Sequence, residues 1–176
     1  MVLKLFSKCP NINTIDMAPT YAGKINEIGL LEASLLPAKK CTMPLFQGFA
    51  EVKVIDFTNV HLNDDDLRFL IRLRNLQALG LSGTRITNKG LKYLAMHSTF
   101  KDNLQCLKLC YVTGITGTGL EHFFSAFKQL SEIDLWGCSQ LNFEDCFCFK
   151  RHKLSKLRLP ADLHNLIEER HQYYRE

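Results

Sequence analysis

An apolar phrase recurs along the chain: an apolar residue, two others, a second apolar residue, one other, and a third apolar residue. Its copies begin at residues 52, 76, 104, 130 and 154, which are 24, 28, 26 and 24 residues apart. A period of this size is typical of chains that stack one supersecondary unit on the next. The copies are Val52/Ile55/Phe57, Leu76/Leu79/Leu81, Leu104/Leu107/Leu109, Leu130/Ile133/Leu135 and Leu154/Leu157/Leu159, with a looser copy at Ile12/Ile15/Met17.

A second register follows the first and predicts the rest of each unit. Three residues after each phrase comes a turn residue that we expect to be buried, then another apolar residue, then a pair spaced i, i+3 on one helix face. Each unit is therefore predicted to be a short strand, a turn and a helix. The turn residues are Val60, Thr84, Val112 and Cys138; the apolar residues are Leu62, Ile86, Ile115 and Leu141; the helix pairs are Leu67/Leu70, Leu91/Leu94, Leu120/Phe123 and Cys146/Phe149.

The segments LQALGLSGTRITNKGLKYLA and LSEIDLWGCSQLNFEDCFCF resemble the cysteine-containing class of leucine-rich repeats, best known from F-box substrate adaptors. The resemblance covers residues 52–159, with an outlying copy at 3–17, and Cys138 occupies the position of the class cysteine. It implies an α/β leucine-rich-repeat solenoid, or horseshoe, with parallel strands on the concave face and helices on the convex face. It also implies protein recognition, often of ubiquitin-ligase substrates, although no segment of this sequence resembles an F-box.

The whole chain, residues 1–176, is interpreted as a single repeat domain. Residues 1–17 are a partial N-terminal repeat, and residues 18–51 are an insertion or a divergent repeat with one predicted helix, Lys24–Leu36. Residues 52–159 hold the repeats. Residues 160–176 are predicted to be a polar helical cap, which a stacked array needs in order to stop end-to-end association.

Alternate residues of a strand face opposite sides, so the residues between and just after the buried leucines, among them Gly80, Ser82 and Pro160, are predicted to share one sheet face. We expect a protein partner to bind there through Lys108, Glu132, Asp134, Trp136, Lys156 and Arg158. Trp136, the single tryptophan, either anchors the partner while Asp134 and Arg158 orient it, or lies flat on neighbouring loops as a structural residue. In the second case Asp134 and Arg158 simply pair across strands.

Composition argues against several other classes of protein. The formal net charge of +4 is too mild for a dedicated nucleic-acid binder, and no apolar run reaches the ~18 residues of a membrane span. The odd count of seven cysteines and the lack of an Asn-x-Ser/Thr sequon indicate a reducing compartment. We expect a cytoplasmic protein, with nuclear or mitochondrial location as alternatives.

Other features of the sequence suggest more specific chemistry or other functions. Cys146, Cys148 and His152 fall short of a four-ligand zinc site, so no metal, cofactor or small-molecule substrate is expected. Cys106 and Cys110 flank Lys108, which could activate a thiol, but no His or Asp partner is evident, so an enzyme is not expected. A mitochondrial assembly or coupling factor with the same fold is the main alternative function. The run Asp64–Asp66 is predicted to cap a helix.

Overall fold

The computed structural model describes residues 14–16, 52–146, 149 and 152–165, and it shows an α/β fold built on a parallel sheet. The sheet has six strands in the order β1-β2-β3-β4-β5-β6, so every strand lies beside its neighbour in sequence. Each strand has three residues, and all pairs are parallel. The strands are β1 (Thr14–Asp16), β2 (Val54–Asp56), β3 (Ala78–Gly80), β4 (Cys106–Lys108), β5 (Glu132–Asp134) and β6 (Lys156–Arg158).

Parallel neighbours require a crossover connection, and helical segments lie in the connections from β2 onward. A 3-10 helix spans Asp64–Arg72, α1 spans Asn88–His97, α2 spans Gly117–Ala126, and a short 3-10 helix spans Glu144–Cys146. Residues 161–165 are also helical. The interpretation as strand, turn and helix is therefore correct for the described units, although two of the helices are 3-10 rather than α. We call each strand with its following turn and helix a unit.

The core lies between the sheet and the helices. The three apolar residues that define each of the phrases beginning at 52, 76 and 104 are at most 4% exposed, as is each helix residue Leu67, Leu70, Leu91, Leu94, Leu120 and Phe123. At its helix side, Phe127 stacks on Phe123 with ring centroids 4.0 Å apart and packs against Phe100 at 5.6 Å. The apolar phrase thus marks the buried side of each strand because a strand alternates its side chains.

One turn position has a left-handed backbone in four successive units. Asn59, Gly83, Tyr111 and Gly137 have φ of 61°, 66°, 57° and 75°, and each lies two residues after the last apolar residue of its phrase. Glycine adopts this conformation freely and asparagine tolerates it, whereas other residues lose about 1–2 kcal/mol. Tyr111 is therefore the one residue of the four whose type does not explain its conformation.

Helix starts are linked from unit to unit by hydrogen bonds. The Thr87 backbone N–H and hydroxyl donate to the Asp64 carboxylate at 2.8 and 2.6 Å. In the next unit, Thr116 N–H donates to Asn88 Oδ1 at 3.0 Å, and Asn88 Nδ2 donates to Thr116 Oγ1 at 2.9 Å. A Cβ at Gly90 would collide with the Asp64 carboxylate. Glycine at this position therefore lets the acid reach the amino end of α1, where its charge opposes the helix dipole.

The predicted cap at Asp64–Asp66 is correct only in part. Asn63, rather than an aspartate, is the N-cap residue, because its side chain accepts from Asp65 N–H at 2.9 Å while Asp66 accepts from Asn63 N–H at 2.9 Å. Asp64 instead accepts the hydrogen bonds from Thr87 at the helix start of the following unit. The acidic run therefore caps two helix starts, one in its own unit and one in the next.

Four positions differ from the prediction in their burial. Leu157 was expected in the core but is 37% exposed, because β6 pairs with β5 alone and no further strand of the described sheet covers it. Pro160 was expected on the sheet face but is buried. Gly80 and Ser82 were expected on the open sheet face, and both are buried: Gly80 does lie in that row of residues, but the Asp56 side chain covers it, and Ser82 Oγ accepts a hydrogen bond from Cys110 N–H at 3.0 Å.

Several predicted segments lie outside the described residues: most of the partial repeat at 1–17, all of 18–51 with its predicted helix, and the cap beyond residue 165. Strand β1 pairs directly with β2. Across the described ranges, no helix combines the length and apolar character needed to cross a bilayer.

Candidate protein-interaction face

The sequence-predicted site residues lie together on the side of the sheet opposite the core, which we call the strand face. Parallel pairing in register places Cys106, Glu132 and Lys156 side by side, and Lys108, Asp134 and Arg158 beside one another in a second row. All six of these side chains are exposed or half-buried. Trp136, two residues beyond β5, is half-buried at the carboxyl end of the same face.

The second row carries alternating charge. From β2 to β6 it reads Asp56, Gly80, Lys108, Asp134, Arg158. Lys108 Nζ lies 3.6 Å from Asp56 Oδ2, so this pair spans the strand between them. The span exists because residue 80 is glycine: a Cβ there would lie 2.9 Å from Asp56 Oδ2 and closer still to Oδ1 and Cγ. Glycine at this position therefore leaves the space in which the Asp56 carboxylate lies.

Two further ion pairs join β5 to β6. Arg158 Nη1 lies 3.5 Å from Asp134 Oδ2, and Lys156 Nζ lies 3.6 Å from Glu132 Oε2. Asp134 and Arg158 therefore do pair across strands. Exposed pairs of this kind contribute about 0–1 kcal/mol each, so they orient the side chains more than they stabilise the fold.

An aromatic cluster of Tyr111, Trp136 and Arg158 extends the face at the carboxyl end of the strands. Trp136 Nε1 donates to the Tyr111 hydroxyl at 3.1 Å, and Trp136 N–H donates to Asp134 Oδ1 at 3.1 Å. The Arg158 guanidinium carbon lies 4.6 Å from the Trp136 ring centroid, within the range of a cation–π interaction. The indole is thereby held between a phenol and a guanidinium, each from a neighbouring unit.

Tyr111 is the member of this cluster that the sequence interpretation missed. Its side chain is 63% exposed although its backbone adopts the left-handed conformation, with φ of 57°. Its ring lies against Gly137, where a Cβ would collide with it. The signal was present in the sequence, because the equivalent positions hold Asn59, Gly83 and Gly137. Strain retained at an exposed aromatic residue is a reason to suspect a function for it.

The thiols on this face do not have the environment of a nucleophile. Burial raises the pKa of the Cys106 thiol, with a further contribution from the Glu132 carboxylate. Burial also raises the pKa of Cys110, as does its hydrogen bond to Asp134. A catalytic thiol needs a lowered pKa, since the thiolate is the reactive form. Lys108 acts in the expected direction on Cys106, but its effect is smaller than that of burial.

The possible metal site at Cys146, Cys148 and His152 falls partly outside the described residues, since Cys148 and the side chain of Cys146 are not among them. In the part of the chain that the structure describes, no three His, Cys, Asp or Glu side chains form a group that could hold a metal ion.

No protein-family model matches this chain, and no curated protein matches its sequence. Its function is therefore inferred from the strand face itself.

Proposed function

We propose that the chain is a leucine-rich-repeat solenoid that binds a partner protein on its strand face. The six in-register parallel strands support the solenoid assignment, as does the recurrence of one left-handed turn position in four units. In this proposal the strands line a concave face and the helices form the convex one. The resemblance of the repeats to those of F-box adaptors supports substrate recognition in a ubiquitin-ligase-type complex as the more specific form of the proposal.

The aromatic cluster is the observation that carries the proposal. Trp, Tyr and Arg are the residues that most often dominate the energy of protein interfaces. Here Tyr111, Trp136 and Arg158 meet at the surface and are fixed by the Nε1–hydroxyl hydrogen bond and the guanidinium stack. A binding surface that is already ordered loses less side-chain entropy when a partner docks. The cluster is thus suited to serve as an anchor without rearrangement.

The test is quantitative capture of partners by the wild type, by Trp136→Ala and by Met96→Ala. Met96 is a matched control, because it is also an exposed apolar residue, at 61%, but lies on α1 at the helix side. Truncating an interface anchor commonly costs about 2 kcal/mol or more, or about thirtyfold in affinity. We expect Trp136→Ala to lose the captured protein, while Met96→Ala keeps it.

Stability must be measured on the same variants by urea unfolding followed by circular dichroism. We expect Trp136→Ala to lower the free energy of unfolding by less than about 1.5 kcal/mol, since its side-chain contacts lie at the surface. Undiminished capture by Trp136→Ala, together with a large loss of stability, would show that the indole is structural and that the proposal is wrong.

A further inference from the structure

The three cross-strand ion pairs share an asymmetry of exposure. In each pair the cation projects further into solvent than the acid: the side-chain exposures are 54% and 24% for Lys108 and Asp56, and 58% and 27% for Arg158 and Asp134. Lys156 and Glu132 follow the same order, at 76% and 43%. The summed charge of the six groups is zero, yet the outermost layer of the face is positive.

The asymmetry has a structural cause. Asp56 is held down by hydrogen bonds from the Thr58 backbone N–H and hydroxyl, and Asp134 by one from the Trp136 backbone N–H. These short side chains therefore stay close to the sheet. Lysine and arginine have long stems that carry the charged group beyond them. A partner that approaches the strand face meets ammonium and guanidinium groups first.

These groups retain hydrogen-bonding capacity. A lysine ammonium has three N–H donors and a guanidinium has five, and the ion pairs at 3.5–3.6 Å occupy few of them. The Arg158 side chain is 58% exposed and directs Nη1 to Asp134, so its other N–H groups can bind a further carboxylate. Because the Tyr111 hydroxyl accepts from Trp136 Nε1, its own hydrogen can be donated to a ligand.

From this arrangement we infer that the partner presents an extended acidic segment to Lys108, Lys156 and Arg158; the inference rests on the proposed function of the strand face. Lys156 and Arg158 are two residues apart on one strand, about 6.6 Å along it. Alternate residues of an extended peptide have the same spacing, so two carboxylates at i and i+2 can face these two cations. Lys108, two strands away at about 10 Å, can meet a third.

Aromatic residues beside cations also occur in proteins that bind single-stranded nucleic acid. The strand face is poorly suited to that ligand, because Asp56, Glu132 and Asp134 lie within 3.6 Å of the cations and would repel a continuous phosphate backbone. A peptide with a few discrete carboxylates avoids these acids. An acidic protein segment is therefore the better match.

The test is selection of a random twelve-residue peptide library on phage against the wild type. Selected peptides are then measured by fluorescence anisotropy against Trp136→Ala and against the charge variant Lys108→Gln/Lys156→Gln/Arg158→Gln. The matched control carries Lys89→Gln/Lys92→Gln/Lys128→Gln, the same change of charge at three exposed lysines in α1 and after α2. A twelve-nucleotide oligouridine is the probe for nucleic acid.

We expect the selected peptides to be rich in Asp and Glu, and to bind the charge variant at least about tenfold more weakly, since each exposed charge pair contributes a factor of about two to five. The control variant should bind them as the wild type does. Affinity for the wild type should also fall about tenfold or more between 50 and 500 mM NaCl, because salt screens exposed charges. This salt series tests the inference independently if the charge variant folds poorly.

Neutral or basic peptides that still require Trp136 would overturn the acidic partner while leaving the proposed binding function intact. Failure to select any peptide that depends on Trp136 or on the three cations would overturn both. Tighter binding of the oligouridine than of the selected peptides would replace the acidic protein segment with a nucleic acid.

Discussion

Replacing Gly80 by alanine tests whether the Asp56 carboxylate of β2 needs the space that glycine leaves on β3. The backbone of Gly80 is ordinary strand, with no positive φ, so alanine alone would stabilise the fold by about 0.4–1 kcal/mol through the entropy of the unfolded chain. In the folded protein, however, the new Cβ would lie 2.9 Å from Asp56 Oδ2 and nearer to Oδ1. The Asp56 carboxylate must move away.

The loss of contacts caused by this movement determines how much Gly80→Ala should lower the free energy of unfolding. It breaks the hydrogen bonds that the carboxylate accepts from the Thr58 backbone N–H and hydroxyl, at 2.9 and 2.5 Å, and the ion pair with Lys108. Hydrogen bonds to a charged group contribute about 1.5–3 kcal/mol, and partial exposure to water reduces their combined loss here to about 2 kcal/mol. After the entropic gain, Gly80→Ala should destabilise the protein by about 1–2 kcal/mol.

The sign should reverse in an Asp56→Ala background. There the carboxylate is gone, so Gly80→Ala should stabilise the fold by about 0.5 kcal/mol, which gives a coupling energy of about 2 kcal/mol between the two sites. Asp56→Asn is the matched control, because it removes the charge but keeps the size, and Gly80→Ala should still destabilise that background.

Urea unfolding of these proteins, followed by the fluorescence of the single tryptophan and by circular dichroism, gives the required free energies. Equal effects of Gly80→Ala in the wild type and in Asp56→Ala would refute the proposed contact.

Two further measurements test other parts of the structure. Asp64→Ala should lower the free energy of unfolding by about 1–3 kcal/mol, because Thr87 loses two hydrogen bonds to a charged acceptor; the adjacent exposed Asp65→Ala should cost less than about 0.5 kcal/mol, and similar losses would contradict this assignment. Burial raises the pKa of Cys138 from 9.0 to about 11, so its stabilising contribution is complete below pH 9 and is lost as the pH rises to 11. Between pH 9 and 11 the free energy of unfolding, measured with urea, should fall less steeply for Cys138→Ala than for the wild type. Equal slopes for the two proteins would refute the raised pKa.

The repeat predicted most of the described architecture, because apolar residues at this fixed spacing are all buried together when each unit forms a strand, a turn and a helix. The face of each strand followed from the two-residue alternation of side chains. Leu157 is the exception, since its exposure depends on whether another strand lies beyond β6, and the phrase that contains it is the same as the others. A local pattern cannot report that a strand is at an edge.

Contacts between units were harder to predict. The alternate positions predicted that Lys108 and Asp134 share a face, but not that Lys108 reaches past a glycine to Asp56. Likewise, nothing near Asp64 in the sequence indicates that its partner lies 23 residues further on. Tyr111 could have been found by aligning the turn position with Asn59 and Gly83, which favour a left-handed backbone. The apolar phrase alone gave it no role.

The hydrogen bonds between successive helix starts affect how the protein unfolds on heating. Thr87 and Thr116 each find an acceptor only in the preceding layer of the stack. A layer that loses its predecessor also loses satisfied donors at its own helix start. Nearest-neighbour coupling of this kind suppresses partly melted arrays, so the described layers should disassemble in one sharp transition, with calorimetric and van't Hoff enthalpies in agreement.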